Sequence, residues 1–485
     1  MPNFARCALL FSGAATVSLA VGIAPASAQN ASTRNTPAAA ARSAREAELE
    51  ARLQQLEASV AALRGELEQS RRDQAAQVAA IAASRPSGDV ETQVQATQAR
   101  VAALEARPTP PAEGFRVGAS TVKLGGFVKV VGSATRYDDG EVGVGALGKE
   151  FYLPQQIPVG GTSSRDVMGH ARQTRLFVDT STPFGAKELK THIEFDFGLL
   201  AAPAGTQRST NPYTPTFRRG FISYGNFLVG QEWSNFQNPA VLPETTDFVG
   251  PMEGTVFARQ MIVQYKVPLG KGLDLFVAAE NPQTETVTTT SAALVDNDHD
   301  RLPDVTAKLA YKGPVGEFTL AGIARELSVR TGAVTDTAFG WGVSAAGRIP
   351  FGPEKRHDLR FMATYGQGIG RYLSLGYVSD SVYDVAPGSQ MGVSDNFAAF
   401  AALKIGWSAT VRSTVMAGYQ DARYPGGMIV PALANKAAYS MAGNLFWSPV
   451  KGFDLGVEYR HAQRETADGE KGQMDRFELA AKYGF

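Results

Sequence analysis

The sequence is poor in cysteine, in long apolar runs and in net charge. One of its 485 residues is cysteine, Cys7, and its 47 basic side chains balance 47 acidic ones. Cys7 lies inside a predicted export signal, so the mature chain would have no disulfide, thiolate metal site or thiol nucleophile. The charge balance gives no reason to expect a nucleic-acid partner. Because only the N-terminus approaches the roughly 18 consecutive apolar residues of a membrane-spanning helix, a helical membrane protein is also excluded.

Residues 1–28 are predicted to be a cleaved signal peptide. Arg6 supplies the positive end, 8–24 is weakly apolar, and Ala26-Ser27-Ala28 matches the cleavage pattern. A membrane anchor is the alternative, but the apolar core is short and rich in alanine and glycine. The mature chain would begin near Gln29, with 29–42 as a flexible linker.

Residues 43–107 are predicted to form a periplasmic coiled coil. The apolar positions step alternately by four and three, at Leu49, Leu53, Leu56, Val60, Leu63 and Leu67. One helix cannot bury so narrow a stripe alone, so we expect self-association; an amphipathic helix lying on a barrel or membrane is the alternative. These residues do not decide between a dimer and a trimer. Pro108 ends the pattern, and 108–116 is a proline-rich linker.

From residue 117 to the C-terminus, the period of the apolar positions changes to two. In the last segment, one set of alternate positions is Phe477, Leu479, Ala481, Tyr483 and Phe485, and the other is Arg476, Glu478, Ala480, Lys482 and Gly484. Such alternation is typical of strands with one face in lipid and the other in water. The terminal Phe485 looks like the signal that the barrel-assembly machinery of bacterial outer membranes recognises.

Short and long connections alternate along 117–485. Seven short turns and eight long polar stretches, including 235–255, 327–337 and 464–472, predict sixteen strands with both ends on the same side. Outer-membrane barrels have short periplasmic turns and long external loops, whereas a soluble β-sandwich does not require this alternation. The predicted fold is therefore an all-β transmembrane barrel of about 16 antiparallel strands with an N-terminal α-helical coiled coil. A barrel of this size leaves a water-filled lumen, which predicts a channel for small hydrophilic solutes.

Several short motifs resemble those of the DcaP-like porins of Gram-negative bacteria. They are Ala171-Arg172-Gln173-Thr174-Arg175 and the segments 189–197, 225–236 and 242–248. The resemblance covers the heptad region and the barrel. It implies a homotrimer of sixteen-stranded barrels surrounded by outer-membrane lipid and lipopolysaccharide, a periplasmic coiled coil, and passage of small, often anionic solutes such as dicarboxylates.

Candidate pore-lining residues follow from the alternation. The basic ones are predicted to face the lumen, because a charge facing lipid at mid-bilayer costs about 2–4 kcal/mol; they are Arg175, Lys190, Lys308, Arg325, Arg360 and Arg412. The acidic ones lie in 235–255, which resembles the inward loop of porins, and are Glu244, Asp247 and Glu253. A solvated acidic loop is the alternative for these three. A net basic lumen would give a weak preference for anions.

Four further arginines cannot be placed by the alternation: Arg172, Arg218, Arg219 and Arg259. A rim, a bulge and a subunit interface all remain open for them. No cofactor, metal site or catalytic site is predicted, and 296–300 resembles a calcium loop only at its start. No nucleophile motif is present, which disfavours an outer-membrane enzyme. A structural anchor or adhesin with a plugged barrel is the other alternative, and channel conductance would separate it from a porin.

Overall fold

A computed structural model of the chain describes residues 114–198, 213–297, 299–332 and 334–485, with six further positions, 65, 68, 69, 72, 73 and 76. The chain divides into two compact units, Met1–Thr109 and Pro110–Phe485. The predicted signal peptide, the linker 29–42 and nearly all of the predicted coiled coil lie outside the described residues and stay predictions. Among the residues that are described, no helix has the length and apolar content needed to cross a membrane.

Sixteen antiparallel strands form a closed barrel, as predicted. In chain order they are Ser120–Tyr137, Ser164–His170 with Arg175–Phe184, Lys187–Asp196, Thr216–Tyr224, Phe227–Trp233, Arg259–Gly270, Leu273–Glu280, Asp304–Gly313, Gly316–Thr331, Val334–Phe351, His357–Gln367, Asp395–Gly406, Val411–Arg423, Asn435–Val450, Phe453–Thr466 and Lys471–Gly484. The second strand is interrupted, since both of its parts pair with the first. The first strand also pairs with the last, which closes the barrel. A short segment, Phe115–Val117, pairs with the start of the first strand.

The last strand shows why this sequence forms a barrel. Arg476 and Glu478 are buried, whereas Phe477 and Leu479 are exposed on the outside. Successive side chains of an extended strand point to opposite faces, so the apolar set faces lipid and the polar set faces inward. The end of the chain completes the closure: the backbone N–H of Phe485 donates to the Gly126 carbonyl at 3.1 Å.

Aromatic side chains form two bands on the outer surface. The band near the long connections contains Trp341, Tyr365, Phe397, Tyr419, Tyr439, Tyr459 and Phe477, one from each of the last seven strands. The band near the short turns includes Phe184, Tyr224, Phe227, Tyr265, Trp447 and Tyr483. Aromatic girdles at two levels are typical of barrels that cross a bilayer, since these rings favour the interface between lipid and water.

Two predicted long loops are wrong. The strands Gly316–Thr331 and Val334–Phe351 are joined by residues 332–333, and Phe453–Thr466 and Lys471–Gly484 by 467–470. The stretches 327–337 and 464–472 are therefore mainly strand. The stretch 464–472 is polar on both faces, and in 327–337 the apolar residues Leu327, Val329 and Val334 are buried rather than facing lipid. Neither stretch therefore shows the alternation by which the strands were recognised. The strand count does not change, because each turn still joins the same two strands.

Three long connections, 138–163, 234–258 and 368–394, fold into the barrel and pack there. Buried residues of the connections 234–258 and 368–394 pack against the barrel wall in one hydrophobic cluster. The connections contribute Phe236, Val241, Val256, Ile369, Tyr372 and Leu373, and the wall contributes Ile323, Met362 and Phe400. The connections 138–163 and 234–258 pack against each other in a second hydrophobic cluster, which contains Val142, Phe151, Tyr152, Leu153, Val249, Met252 and Phe257. Above the barrel, Thr284–Thr288 and Ser291–Asn297 form a four-stranded sheet with Ser381–Tyr383 and Met391–Val393. Part of the interior is therefore occupied by the protein itself.

A charge on the lipid face tests the orientation of the strands. Val415 is exposed midway along its strand, so Val415→Arg should lower the free energy of unfolding by about 2–4 kcal/mol. Val450 is exposed at the end of its strand, and Val450→Arg should cost at most about 1 kcal/mol, because the bilayer interface tolerates charge. Urea titrations of protein folded into vesicles measure both values. An equal loss of unfolding free energy in the two variants would contradict the placement of Val415 near mid-bilayer and of Val450 at the interface.

Candidate functional site in the barrel interior

The connection 234–258 follows the inner wall and is anchored to five of its strands. The anchoring pairs, in order along the connection, are Gln237 with Lys308, Asn238 with Thr319, Leu242 with Arg360, Glu244 with Arg412, and Asp247 with Lys129. The two lysine Nζ atoms donate to backbone carbonyls at 3.1 and 2.8 Å. Wall side chains thus satisfy backbone carbonyls that the irregular connection leaves without partners. The connection narrows the lumen along this part of the wall.

Glu244 is the acidic candidate that keeps some contact with solvent. Its carboxylate accepts hydrogen bonds from the Arg412 guanidinium, with Nε at 2.7 and 2.9 Å from the two oxygens. Arg412 also pairs with Asp454 at 3.0 Å. This arginine therefore bridges the inward connection and the next strands of the wall.

Asp247 and Glu253 are enclosed and bonded to the protein. The Asp247 Oδ2 atom accepts from the backbone N–H of Tyr152 at 3.0 Å, which ties two inward connections together. Glu253 has no exposed surface and accepts from the Ser440 hydroxyl at 2.6 Å. Both residues were predicted as selectivity candidates, and in the structure they hold the connection in place.

Glu458 is a wall residue that the sequence analysis did not select. Its carboxylate accepts from the Thr245 hydroxyl at 2.7 Å and from the Thr246 backbone N–H at 3.2 Å. It also accepts from Asn444 at 3.0 Å and from Arg460 at 2.9 Å. The alternation Val-Glu-Tyr around position 458 indicates an inward side chain, but not that it holds the tip of a connection more than 200 residues earlier.

The basic candidates Lys190 and Arg360 lie on the same strand faces as the buried residues Glu194 and Asp358. Lys190 is 59% exposed near the short turns and pairs with Glu188 at 3.2 Å. Arg360 is mostly covered, pairs with Asp358 at 2.6 Å and donates to the connection 234–258. Lys190 thus faces water, whereas Arg360 mainly anchors the connection.

Arg325 is fully enclosed between the wall and an inward connection. It pairs with Asp304 at 3.4 Å and with Asp380 at 3.1 Å, and it donates to the Gly368 carbonyl at 3.0 Å. Asp380 and Gly368 belong to the connection 368–394. Arg325 therefore holds this connection and has no surface that a solute in the lumen would contact.

Arg175 belongs to a charged network on the second to fourth strands. It pairs with Glu194 and with Asp196, both at 2.8 Å, and Asp196 also accepts from the Arg218 Nε at 2.7 Å. The register between the third and fourth strands shifts after Glu194. This shift is a β-bulge. The bulge lets both Arg218 and Arg219 turn inward, which is why simple alternation could not place them.

Two arginines of this network, Arg175 and Arg219, are more exposed than the carboxylates that they bind, whereas Arg218 is 5% exposed. Arg219 binds Glu194 at 3.1 Å and Glu232 at 2.5 Å. The exposed fractions are 19% for Arg175 and 24% for Arg219, against 6% for Glu194, 0% for Asp196 and 12% for Glu232. Guanidinium groups therefore face the water around Arg175 and Arg219, while the nearby Asp179, which binds His192, is 42% exposed.

The remaining two unplaced arginines also lie against protein groups. Arg172 pairs with Glu150 at 2.9 Å and covers the ring of Tyr213 at 4.9 Å. Arg259 lies over the ring of Trp233 at 4.5 Å. Within the described ranges, no group of three or more His, Cys, Asp or Glu side chains is placed to hold a metal ion.

A closed sixteen-stranded barrel with an inward connection and charged walls defines a channel protein of the outer membrane. The sequence profile of the DcaP outer membrane protein family matches residues 153–485, so the chain belongs to this family. The chain is an outer-membrane channel of the DcaP type from a Gram-negative bacterium, and not an enzyme.

One solved structure supports this assignment, and two others are reported for their more distant similarity. The crystal structure of the outer membrane channel DcaP of Acinetobacter baumannii is 27% identical, covers 77% of this chain and 99% of its own, and superposes with a TM-score of 0.63. Outer-membrane expressed OmpT of Vibrio cholerae is 11% identical over 77% of this chain and 100% of its own, with a TM-score of 0.47. Salmonella typhi OmpF, in a complex with daunomycin, is 12% identical over 76% and 98%, with a TM-score of 0.44. A comparison with curated protein sequences found no match.

Removal of the Glu458 carboxylate should release the tip of the inward connection. Glu458→Ala leaves Arg460 enclosed without its ion pair, and breaking a buried pair costs about 3–5 kcal/mol. We expect a lower free energy of unfolding, noisier single-channel currents and faster proteolysis within 234–258. Glu470→Ala, in an exposed turn, is the control and should change none of these. Quiet currents and unchanged proteolysis in Glu458→Ala would contradict an anchoring role.

The outer sheet contains a carboxyl group that should make stability depend on pH. Burial, and then the charge of Asp380, raise the pKa of Glu285 from 4.5 to about 7. The folded protein therefore keeps this proton to higher pH than the unfolded chain, so its stability should fall as pH rises from about 4.5 through about 7.

Glu285→Gln should remove this dependence. It should match the wild type near pH 4.5 and be more stable than it at pH 8, by at most about 3 kcal/mol. Urea titrations of the folded protein at several pH values measure the difference. The exposed Glu141→Gln serves as the control. A Glu285→Gln variant that is less stable than the wild type at pH 8 would refute the assignment.

Proposed function

We propose that this protein is a passive diffusion channel for small hydrophilic solutes with a weak preference for anions such as dicarboxylates. One observation carries the preference: around Arg175 and Arg219, the guanidinium groups face the water and their carboxylates lie behind them. A charged enclosure concentrates ions of the opposite sign, so solute anions would be favoured along this wall.

The preference should be weak because most charges of the interior are paired. Arg412 and Lys404 together balance Glu244 and Asp454, and Arg360 pairs with Asp358. Each pair leaves only a local dipole, whose field falls faster with distance than that of a free charge. The sequence as a whole carries equal numbers of acidic and basic residues, 47 of each.

The assembly is part of the proposal. The chain would be a homotrimer in outer-membrane lipid and lipopolysaccharide, with 1–28 as the signal peptide, 29–42 and 108–116 as linkers, and 43–107 as a periplasmic coiled coil. The heptad stripe supports self-association, and the family resemblance supports three copies. Insertion would use the barrel-assembly machinery, and the exposed ring of Phe485 at the end of the last strand is available for recognition.

A plugged barrel that serves as an anchor is the second candidate. It is favoured by the three connections that pack inside the barrel and fill part of its interior. The two candidates differ in one measurable property, since a plugged barrel conducts no ions.

Planar-bilayer recordings test both proposals. A trimeric porin should close in three equal steps, and reversal potentials in a tenfold KCl gradient should show a modest chloride preference. Arg219→Gln should reduce that preference, since it removes a water-facing charge and leaves Glu232 unpaired. Lys451→Gln, in an exposed short turn, should have no effect. Absence of conductance would favour the anchor, and clear cation selectivity would end the anion preference.

A further inference from the structure

Arg259 differs from the other arginines of the interior network because no carboxylate among the described residues binds it. In the part of the chain that the structure describes, its Nη1 atom is enclosed and has no hydrogen-bond partner. The side chain as a whole keeps partial exposure. A buried polar group without a partner is unfavourable, and for a charged group the cost is larger.

Aromatic rings hold this guanidinium in place. It lies 4.5 Å from the centre of the Trp233 ring and 5.9 Å from that of Phe257. Trp233 ends the fifth strand, Arg259 begins the sixth, and the two are paired across the strands. The guanidinium therefore lies where the inward connection 234–258 joins the fifth and sixth strands. Stacking on aromatic faces fixes a guanidinium plane while its edge stays available for hydrogen bonds.

The carboxylates around Arg259 all have other partners. The strongest charged influences on it are Arg218 and Arg175, ahead of Asp196 and Glu194. The local network contains His192 and four arginines, Arg175, Arg218, Arg219 and Arg259, with four carboxylates, Asp179, Glu194, Asp196 and Glu232. Every one of these carboxylates already binds another arginine of the network or His192. Arg259 is the arginine of the network that none of these four carboxylates binds.

We propose that Arg259, stacked on Trp233, is the subsite at which the carboxylate of a passing solute binds. This inference rests on the proposed anion preference and names the residue that would act on the solute directly. A guanidinium presents two parallel N–H donors that match the two oxygens of a carboxylate. Because Nη1 is enclosed, the carboxylate would meet the guanidinium at its partly exposed edge, and such a site also lets the solute leave again, which conduction requires.

Blocking of the chloride current by succinate tests the subsite in the full-length protein. Succinate should interrupt the current of the wild type, and its neutral analogue succinamide should not. Arg259→Gln should shorten the succinate dwell time about tenfold, the effect of losing a charge-assisted hydrogen bond. Arg259→Lys should give an intermediate dwell time, because it keeps the charge and loses the paired donors. Arg356→Gln, in an exposed short turn, is the matched control and should not change it.

The remaining outcomes separate the subsite from the function. An unchanged dwell time in Arg259→Gln with a wild-type chloride preference would overturn the subsite and leave the proposed function intact. Loss of trimers in Arg259→Gln, with a normal dwell time in the folded Arg259→Lys variant, would mean that Arg259 is structural and would also overturn it. Absence of succinate block in the wild type would refute the subsite even if the reversal potential shows a chloride preference.

Discussion

The absence of water in the hydrocarbon of a bilayer is the constraint on which this structure depends. A chain that crosses it with strands must pair every backbone N–H and C=O, and a closed barrel does so without leaving an edge. Closure occurs where the first strand pairs with the last and where Phe485 bonds to Gly126. Once the barrel is closed, alternate side chains face lipid and interior, so the polar half of each strand is collected in one enclosed space.

That enclosed space explains the many ion pairs of the interior. Charged side chains away from bulk water must be paired, and the inward connections supply many of the partners. Arg412 meets Glu244 of one connection, and Arg325 meets Asp380 of another. The same charges therefore hold the connections that narrow the lumen. On the second to fourth strands the pairing takes place within the wall, and guanidinium groups remain at the water.

Much of the fold was accessible from the sequence, because alternation and turn composition are local properties. The sixteen strands were predicted, although 327–337 and 464–472 were interpreted as long loops. Much less of the candidate site could be predicted from the sequence. The inward direction of Arg175 and Arg360 followed from their apolar neighbours, whereas the bulge that turns Arg218 inward depends on pairing between two strands. Glu458 carried no local sign of its role.

The sequence by itself determined the two-residue period of the barrel, its strand count and its family. These depend on neighbouring residues along the chain, which share one strand or one turn. Only the tertiary structure decided which charges are neutralised and which remain at the water. Glu244 and Arg412 are 168 positions apart, and Thr246 and Glu458 are 212 apart. Such pairs form only when the barrel closes and the connections fold inside it, so no pattern along the chain records them.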